Sequence, residues 1–185
     1  KPIWLTYLDK FIQRYQGTKL ERLRDLFEQS IKDLPKEDVA EFYIKYGLAE
    51  EEYGLIRHAI NVYDRATRLV PDNEKYDMYQ LYIRKVEYYY GITKTRPIYE
   101  RAINEFSDLQ LCNICIEYAK METKLGEIDR ARAIYQYGSQ YADPKKYETY
   151  WVDWKLFEEQ YGNSETFIDL FRIQKSVEIT YSQVN

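Results

Sequence analysis

Leu125-Gly126-Glu127-Ile128-Asp129-Arg130-Ala131-Arg132-Ala133-Ile134-Tyr135, running on to Gly138, is a glycine turn followed by a helix-forming stretch with an aliphatic–aromatic pair. The pair recurs upstream at unbroken intervals of thirty-six residues, as Ile98-Tyr99, Val62-Tyr63 and Leu26-Phe27, and downstream as Leu170-Phe171. A fixed period of this length is the signature of a helical repeat array, in which each unit buries its apolar face only against its neighbours.

The surroundings of each aromatic anchor (Phe27, Tyr63, Tyr99, Tyr135, Phe171) repeat too. Three residues on, the first four units carry something small, Ser30, Ala66, Ala102 and Gly138, which lets another helix come close. Eight residues on stand Pro35, Pro71, Ser107 and Asp143, the last followed by Pro144, and proline lacks the amide that a continuing helix needs. Upstream, Gly17, Gly54, Gly91, Gly126 and Gly162 precede the anchors by eight to ten residues, where glycine suits a left-handed helix terminus. Each unit therefore reads as helix A, a glycine turn, helix B and a breaker.

Helix A carries its own apolar face at spacings of three and four: Trp151, Trp154, Phe157 and Tyr161; Cys115, Tyr118, Met121 and Leu125; Tyr43, Tyr46, Ala49 and Tyr53. Trp4, Tyr7, Phe11 and Tyr15 fit with one extra residue before Gly17. A glutamate stands four positions before four of the glycines (Glu50, Glu87, Glu122, Glu158), with Gln13 at the first. The expected fold is all-α: a single array of five helix pairs, at about 1–35, 36–71, 72–107, 108–143 and 144–185, with ten helices, no strands and all five anchors buried. Pro97, two residues before its anchor, should sit in the first turn of its helix or bend it.

Function classes narrow by composition. Net charge is −4, and no run of five to eight Lys or Arg occurs, so wholesale attraction to phosphate is not expected. No apolar run approaches the ~20 residues that span a bilayer, so no membrane partner is expected. Cys112-x-x-Cys115 has the spacing of a zinc or redox motif, but structural zinc wants four ligands and the lone His58 lies in another unit. Both thiols read as small buried hydrophobes, and no metal or cofactor is expected. Gly91-Ile92-Thr93-Lys94-Thr95 echoes a phosphate loop without its second glycine or its preceding strand. One histidine excludes most His-dependent triads, so no catalytic residues are assigned and an enzyme is the least supported class.

Two polar features remain. Arg22, His58, Lys94 and Arg130 stand five residues before their anchors and form a candidate binding ladder for an acidic partner or an RNA backbone. Arg24, Arg96 and Arg132 stand three before, where Ile60 and Ile168 depart; they pair either with Glu28 and Glu100 at i,i+4 or with the helix A glutamates. The tyrosines outside the register, Tyr88, Tyr89, Tyr137, Tyr141 and Tyr147, are surface candidates for stacking on bases.

Paired aromatics and a glutamate in helix A, a glycine turn, then Arg-x-x-aromatic in helix B resemble half-a-TPR (HAT) repeats. Thr95-Arg96-Pro97-Ile98-Tyr99-Glu100-Arg101-Ala102 and Arg130 to Tyr135 fit best. Leu20-Glu21-Arg22 through Ser30, Glu50 through Ala59, and Lys124 through Tyr135 are similar to the later repeats of the SYF-one family of pre-mRNA splicing factors (XPA-binding protein two in animals). The resemblance implies a nuclear scaffold of the spliceosome, in the Prp19-associated (NineTeen) and intron-binding complexes. It implies as partners a crooked-neck-type HAT protein, the Aquarius helicase and Prp19-complex subunits, with RNA contact weak in isolation. The alternative is an RNA-contacting module, or a HAT array from a 3′-end cleavage or ribosome-biogenesis factor. The chain is expected to be a fragment of a longer solenoid that self-associates through an exposed end, around Trp4, Leu8 and Phe11.

Overall fold

Turn and breaker residues set where the helices stop. A computed structural model describes residues 1–184. Ten α-helices are formed among them: α1 Pro2–Tyr15, α2 Leu20–Asp33, α3 Val39–Tyr53, α4 Ile56–Leu69, α5 Asp72–Tyr90, α6 Arg96–Glu105, α7 Asp108–Lys124, α8 Ile128–Ser139, α9 Glu148–Tyr161 and α10 Ser164–Val184. Short 3-10 segments stand at Lys36–Asp38 and Ile92–Thr95, and no strand occurs among the described residues. All five expected turns are present. Pro71 caps α5 and Ser107 caps α7, so these breakers separate helices as the sequence implied. Pro97 lies in the first turn of α6, where its missing amide has no helical acceptor to lose.

The chain forms two compact units, Lys1–Gly91 and Ile92–Asn185, so the third helix pair is divided between them. In the first unit α2 packs on α3, α3 on α4 and α4 on α5; in the second, α6 packs on α7, α7 on α8, α8 on α9 and α9 on α10. One aromatic contact recurs. Three anchors lie against the ring nineteen residues later, in the next helix A. Phe27 is parallel to Tyr46 with centroids 4.9 Å apart, Tyr99 to Tyr118 at 5.1 Å, and Tyr135 to Trp154 at 6.2 Å. Tyr63 is fully buried as well. The small residues beside the anchors do what their size suggests: a Cβ on Gly138 would lie 2.5 Å from Tyr150 Oη and 2.8 Å from Cys115 Cβ. Ser30 is buried too, but its hydroxyl donates to the Phe27 carbonyl at 2.7 Å, so no polar group is stranded.

Several expectations are corrected. Phe171 is 52% exposed, while its neighbour Leu170 is buried. The face of α1 is not bare: Leu8 and Phe11 are buried in the core of the first unit with Leu23, Leu26, Phe27 and Phe42, and Trp4 packs against it. The large apolar residues that α1 does expose are Ile3 and Tyr7. The glycines also serve two purposes rather than one. Gly91 (φ +95°) and Gly126 (φ +79°) take the left-handed conformation, whereas in the first turn Gln16 has φ +49° instead of Gly17. At Gly54 and Gly162 the reason is space, since a Cβ there would collide with the carboxylates of Glu50 and Glu158.

Candidate functional site

The buried carboxylates of helix A are the most demanding groups in the chain, because a charge removed from water must be paired and hydrogen-bonded. Glu50, Glu122 and Glu158 are buried, and each receives a bidentate arginine from the preceding helix B, twenty-six residues earlier. Arg24 Nε and Nη2 donate to Glu50 at 2.5 and 3.0 Å. Arg96 donates to Glu122 at 2.6 and 2.9 Å, and Arg132 to Glu158 at 2.8 and 3.3 Å. Trp154 Nε1 also donates to Glu158. The arginines thus take the second of the two pairings open from the sequence. Glu28 instead receives both terminal nitrogens of Arg65, at 2.6 and 3.0 Å, and Glu100 receives the Tyr118 hydroxyl.

The same arithmetic explains the departure in the second unit of the repeat. Twenty-six residues after Ile60 stands Val86, not Glu87; both Ile60 and Val86 are buried, on helices α4 and α5 that pack together. Glu87 is exposed, so counting back from Gly91 misplaced it by one residue. Where the other junctions have an ion pair, both positions here carry buried aliphatic residues.

A second polar cluster escaped the sequence reading. Glu51, beside the clamp residue Glu50, receives the hydroxyl of Tyr63, the hydroxyl of Tyr89 at 2.5 Å and Lys85 Nζ at 3.0 Å. Burial alone would raise its pKa, but these three donors outweigh burial and hold the carboxyl below its ordinary value. The Glu51 carboxylate in turn pushes Tyr89 up to about 12. Glu28 is likewise held low, chiefly by its hydrogen bonds from Arg65. Of the three successive glutamates Glu50, Glu51 and Glu52, only Glu52 is exposed.

The candidate ladder breaks up. His58 is half-buried, with Nδ1 3.1 Å from Arg24 Nη2, so it belongs to the clamp. Arg22, Lys94 and Arg130 are exposed and make no ion pair among the described residues. Among the off-register tyrosines, Tyr88 (81% exposed), Tyr137 and Tyr141 are on the surface, the last two with rings 5.9 Å apart, whereas Tyr89 and Tyr147 are half-buried. Cys112 and Cys115 are both buried, and burial pushes each thiol up to about 12, which makes them poor nucleophiles and poor ligands. No group of three His, Cys, Asp or Glu stands close enough to hold a metal ion among the described residues, and no helix there is long and apolar enough to cross a membrane.

What this arrangement supplies is rigidity between helices and exposed side chains on the faces left over. Leu48 and Tyr88 stand on α3 and α5 in one unit, and Leu109, Val152 and Leu156 on α7 and α9 in the other. Such faces offer apolar surface for contact with other molecules. The sequence matches the pre-mRNA-splicing factor Syf1/CRNKL1 C-terminal HAT repeat over residues 1–185. It is 50% identical over 184 residues to the pre-mRNA-splicing factor syf1 homolog of Drosophila melanogaster, covering 99% of this chain and 21% of the relative. To the human pre-mRNA-splicing factor SYF1 it is 50% identical over 184 residues (99% and 22%), and to that of Dictyostelium discoideum 46% over 183 residues (99% and 22%). The chain spans about a fifth of the length of these curated relatives. By its repeat register and by sequence along its whole length, the chain belongs to the Syf1/CRNKL1 C-terminal HAT-repeat family of pre-mRNA-splicing factors.

Proposed function

We propose that this chain is a protein-binding scaffold segment acting in pre-mRNA splicing, in the nucleus, with no chemistry of its own. The observation that carries the reading is how its charged groups are spent. The arginines of helix B and the buried acids of helix A lock successive helices together, which leaves stiff helix faces for partners. Stacked repeats use the non-repeating residues on such faces to choose what they bind. The two units are taken as parts of one HAT array, with repeats at about 1–35, 36–71, 72–107, 108–143 and 144–185, since the same stack and clamp recur in both. The proposed partners are spliceosomal proteins: a crooked-neck-type HAT protein, the Aquarius helicase and subunits of the Prp19-associated complex.

The test is capture from nuclear extract on immobilised chain, read by mass spectrometry, against a variant with Leu48, Val152 and Leu156 made polar. Enrichment of splicing proteins that the variant loses supports the scaffold reading; equal recovery by both, or recovery of no splicing protein, overturns it. One observation favours a second reading, direct RNA contact: Lys94 and Arg130 are exposed cations without an acid. Phosphate contacts would make RNA binding fall steeply between about 50 and 200 mM salt, and a flat or absent response excludes that reading.

A further inference from the structure

Helices α3 and α5 both pack on α4, and a groove of about 430 Å³ runs between them. It is lined by Ala40 and Ile44 of α3 and by Glu74, Met78 and Leu81 of α5. That volume lies in the range of clefts that bind small ligands. Both walls belong to the first unit. Lengthening an array adds helix pairs at its ends, and each pair touches only its neighbours, so no further repeat covers this groove. One end is tied: Glu51 of α3 accepts from Lys85 Nζ at 3.0 Å, across an offset of thirty-four residues. The same offset sets Ile44 beside Met78 and Ala40 beside Glu74 along the groove. In the second unit Lys120 and Asp153 join α7 to α9 by an ion pair at 3.8 Å. Two periods of thirty-six earlier those positions are Leu48 and Leu81, which cannot bridge the helices by charge and keep the walls apolar.

One polar atom of the wall is left over. Glu74 Oε2 is shut off from water and has no hydrogen-bond partner. A carboxylate oxygen in that state costs stability until a donor reaches it. Ala40, across the groove, has no donor in its side chain and is too short to fill the space. Asp77 lines the groove about one turn further on, so two acids stand at this end. Arg84 follows Glu74 by ten residues along α5, about 15 Å away, a distance at which salt screens exposed charges. We propose that the groove is a receptor for an arginine side chain carried by a segment of a partner protein, with aliphatic residues on either side of that arginine. The guanidinium is held by Glu74 and Asp77, its methylene stem lies on Ile44 and Met78, and the flanking aliphatic residues cover Leu48 and Leu81. Arginine fits better than lysine because a guanidinium is more weakly hydrated and its fork of donors serves two carboxylates. The same two carboxylates turn away an acidic segment or an RNA backbone. The inference rests on the scaffold reading and deepens it by naming what one face binds.

The probe is the tripeptide acetyl-Leu-Arg-Leu-amide, titrated onto the 185-residue chain and followed by backbone amide chemical shifts. The expected result is saturable binding with shifts centred on residues 40–48 and 74–84. The same tripeptide with citrulline, equal in shape but uncharged, should bind about tenfold more weakly or worse. Glu74→Gln should weaken the arginine peptide by a similar factor, while Glu87→Gln, at an exposed position of the same helix, leaves it unchanged. The melting temperature of Glu74→Gln should hold or rise, since the charge without a donor is gone. No binding, equal binding of the citrulline peptide, or equal binding by the Glu74→Gln chain overturns the site; the scaffold reading, tested by capture from extract, then still stands or falls by its own result. The titration is repeated on the longest natural chain that carries this segment. Retained binding there supports a partner as the occupant, whereas loss of binding shows that the protein's own continuation fills the groove and overturns that assignment.

Discussion

Replacing Arg96 by isoleucine tests whether the clamp is an interaction between helices or a decoration of their surface. Glu122 is fully buried and holds both arginine nitrogens, while the Arg96 side chain is about a third exposed. Without Arg96 the carboxylate must stay charged in an apolar site or take up a proton. At pH 7 protonation sets an upper limit: a group of ordinary pKa about 4.3 forced neutral costs about 1.4 kcal/mol for each of ~2.7 units, or about 3.7 kcal/mol. That agrees with the 3–5 kcal/mol typical of stranding one partner of a buried pair. The reciprocal change, Glu122→Val, leaves the arginine free to swing into water and should cost only about 1–2 kcal/mol. The double variant Arg96→Ile/Glu122→Val recreates the Ile60–Val86 pair found in the first unit and should lie within about 1 kcal/mol of the native chain. Urea unfolding of the four proteins, with equal m-values, gives the cycle. Equal costs for the two single changes, or a double variant as unstable as their sum, would refute the reasoning.

The remaining predictions follow from burial and conformation. Tyr99→Ala should cost about 3–5 kcal/mol, whereas the exposed Phe171→Ala should cost under about 1.5 kcal/mol, both read by thermal or urea unfolding; comparable losses would mean that α10 is covered in solution. Gly54→Ala, which drives a methyl into the Glu50 carboxylate, should cost at least about 2 kcal/mol and shrink markedly in an Arg24→Ile/Glu50→Val background where that carboxylate is gone. The Glu51 cluster should give stability two pH limbs. A depressed carboxyl contributes above its unfolded pKa and loses that contribution as acid lowers the pH through its folded value. The raised Tyr63 and Tyr89 phenols contribute below about 10 and lose it as the pH climbs toward 12. Glu51→Gln should flatten the acid limb and lessen the alkaline one, in which burial still holds the Tyr63 phenol up, as read in pH-dependent melts; an unchanged profile would remove the cluster from the account.

The anchors were legible because an aromatic at a fixed interval is visible without knowing what it touches. Their partners were harder to read, for a geometric reason. Turns adjust, as Gly91 with φ +95° and Gln16 with φ +49° show, so counting back from a glycine drifts by a residue. One residue in a helix is a rotation of about 100°, enough to exchange the exposed Glu87 for the buried Val86. Counting forward from the anchor does not drift, because packing fixes helix A against helix B directly. The arginines were ambiguous because both candidate acids are within reach in sequence. Energy decides between them. An exposed i,i+4 pair is worth about 0.3–0.5 kcal/mol, and a buried carboxylate left unpaired costs several, so Arg24 and Arg96 go to Glu50 and Glu122. Glu51 was unreadable for another reason: its donors Tyr63, Lys85 and Tyr89 come from two other helices, and nothing in the spacing marks them.

The clamp also answers a problem that repetition creates. If every junction were held only by an aromatic lying on an aromatic, any helix B would accept any helix A, and chains of this kind could pair out of order or with other copies. The residue three before the anchor removes that freedom. Arginine at positions 24, 96 and 132 accepts only a helix with an acid four residues past its ring, while Ile60 accepts only one with an aliphatic there. A helix such as α5 set against α2 would leave Arg24 facing Val86; α3 set in the place that α5 takes on α4 would bury Glu50 on Ile60, at a cost of several kcal/mol. The stack thus supplies adhesion common to all junctions, and the clamp supplies the order. The isoleucine junction of the first unit obeys the same rule, with a buried aliphatic residue at position 86 where the acid stands elsewhere.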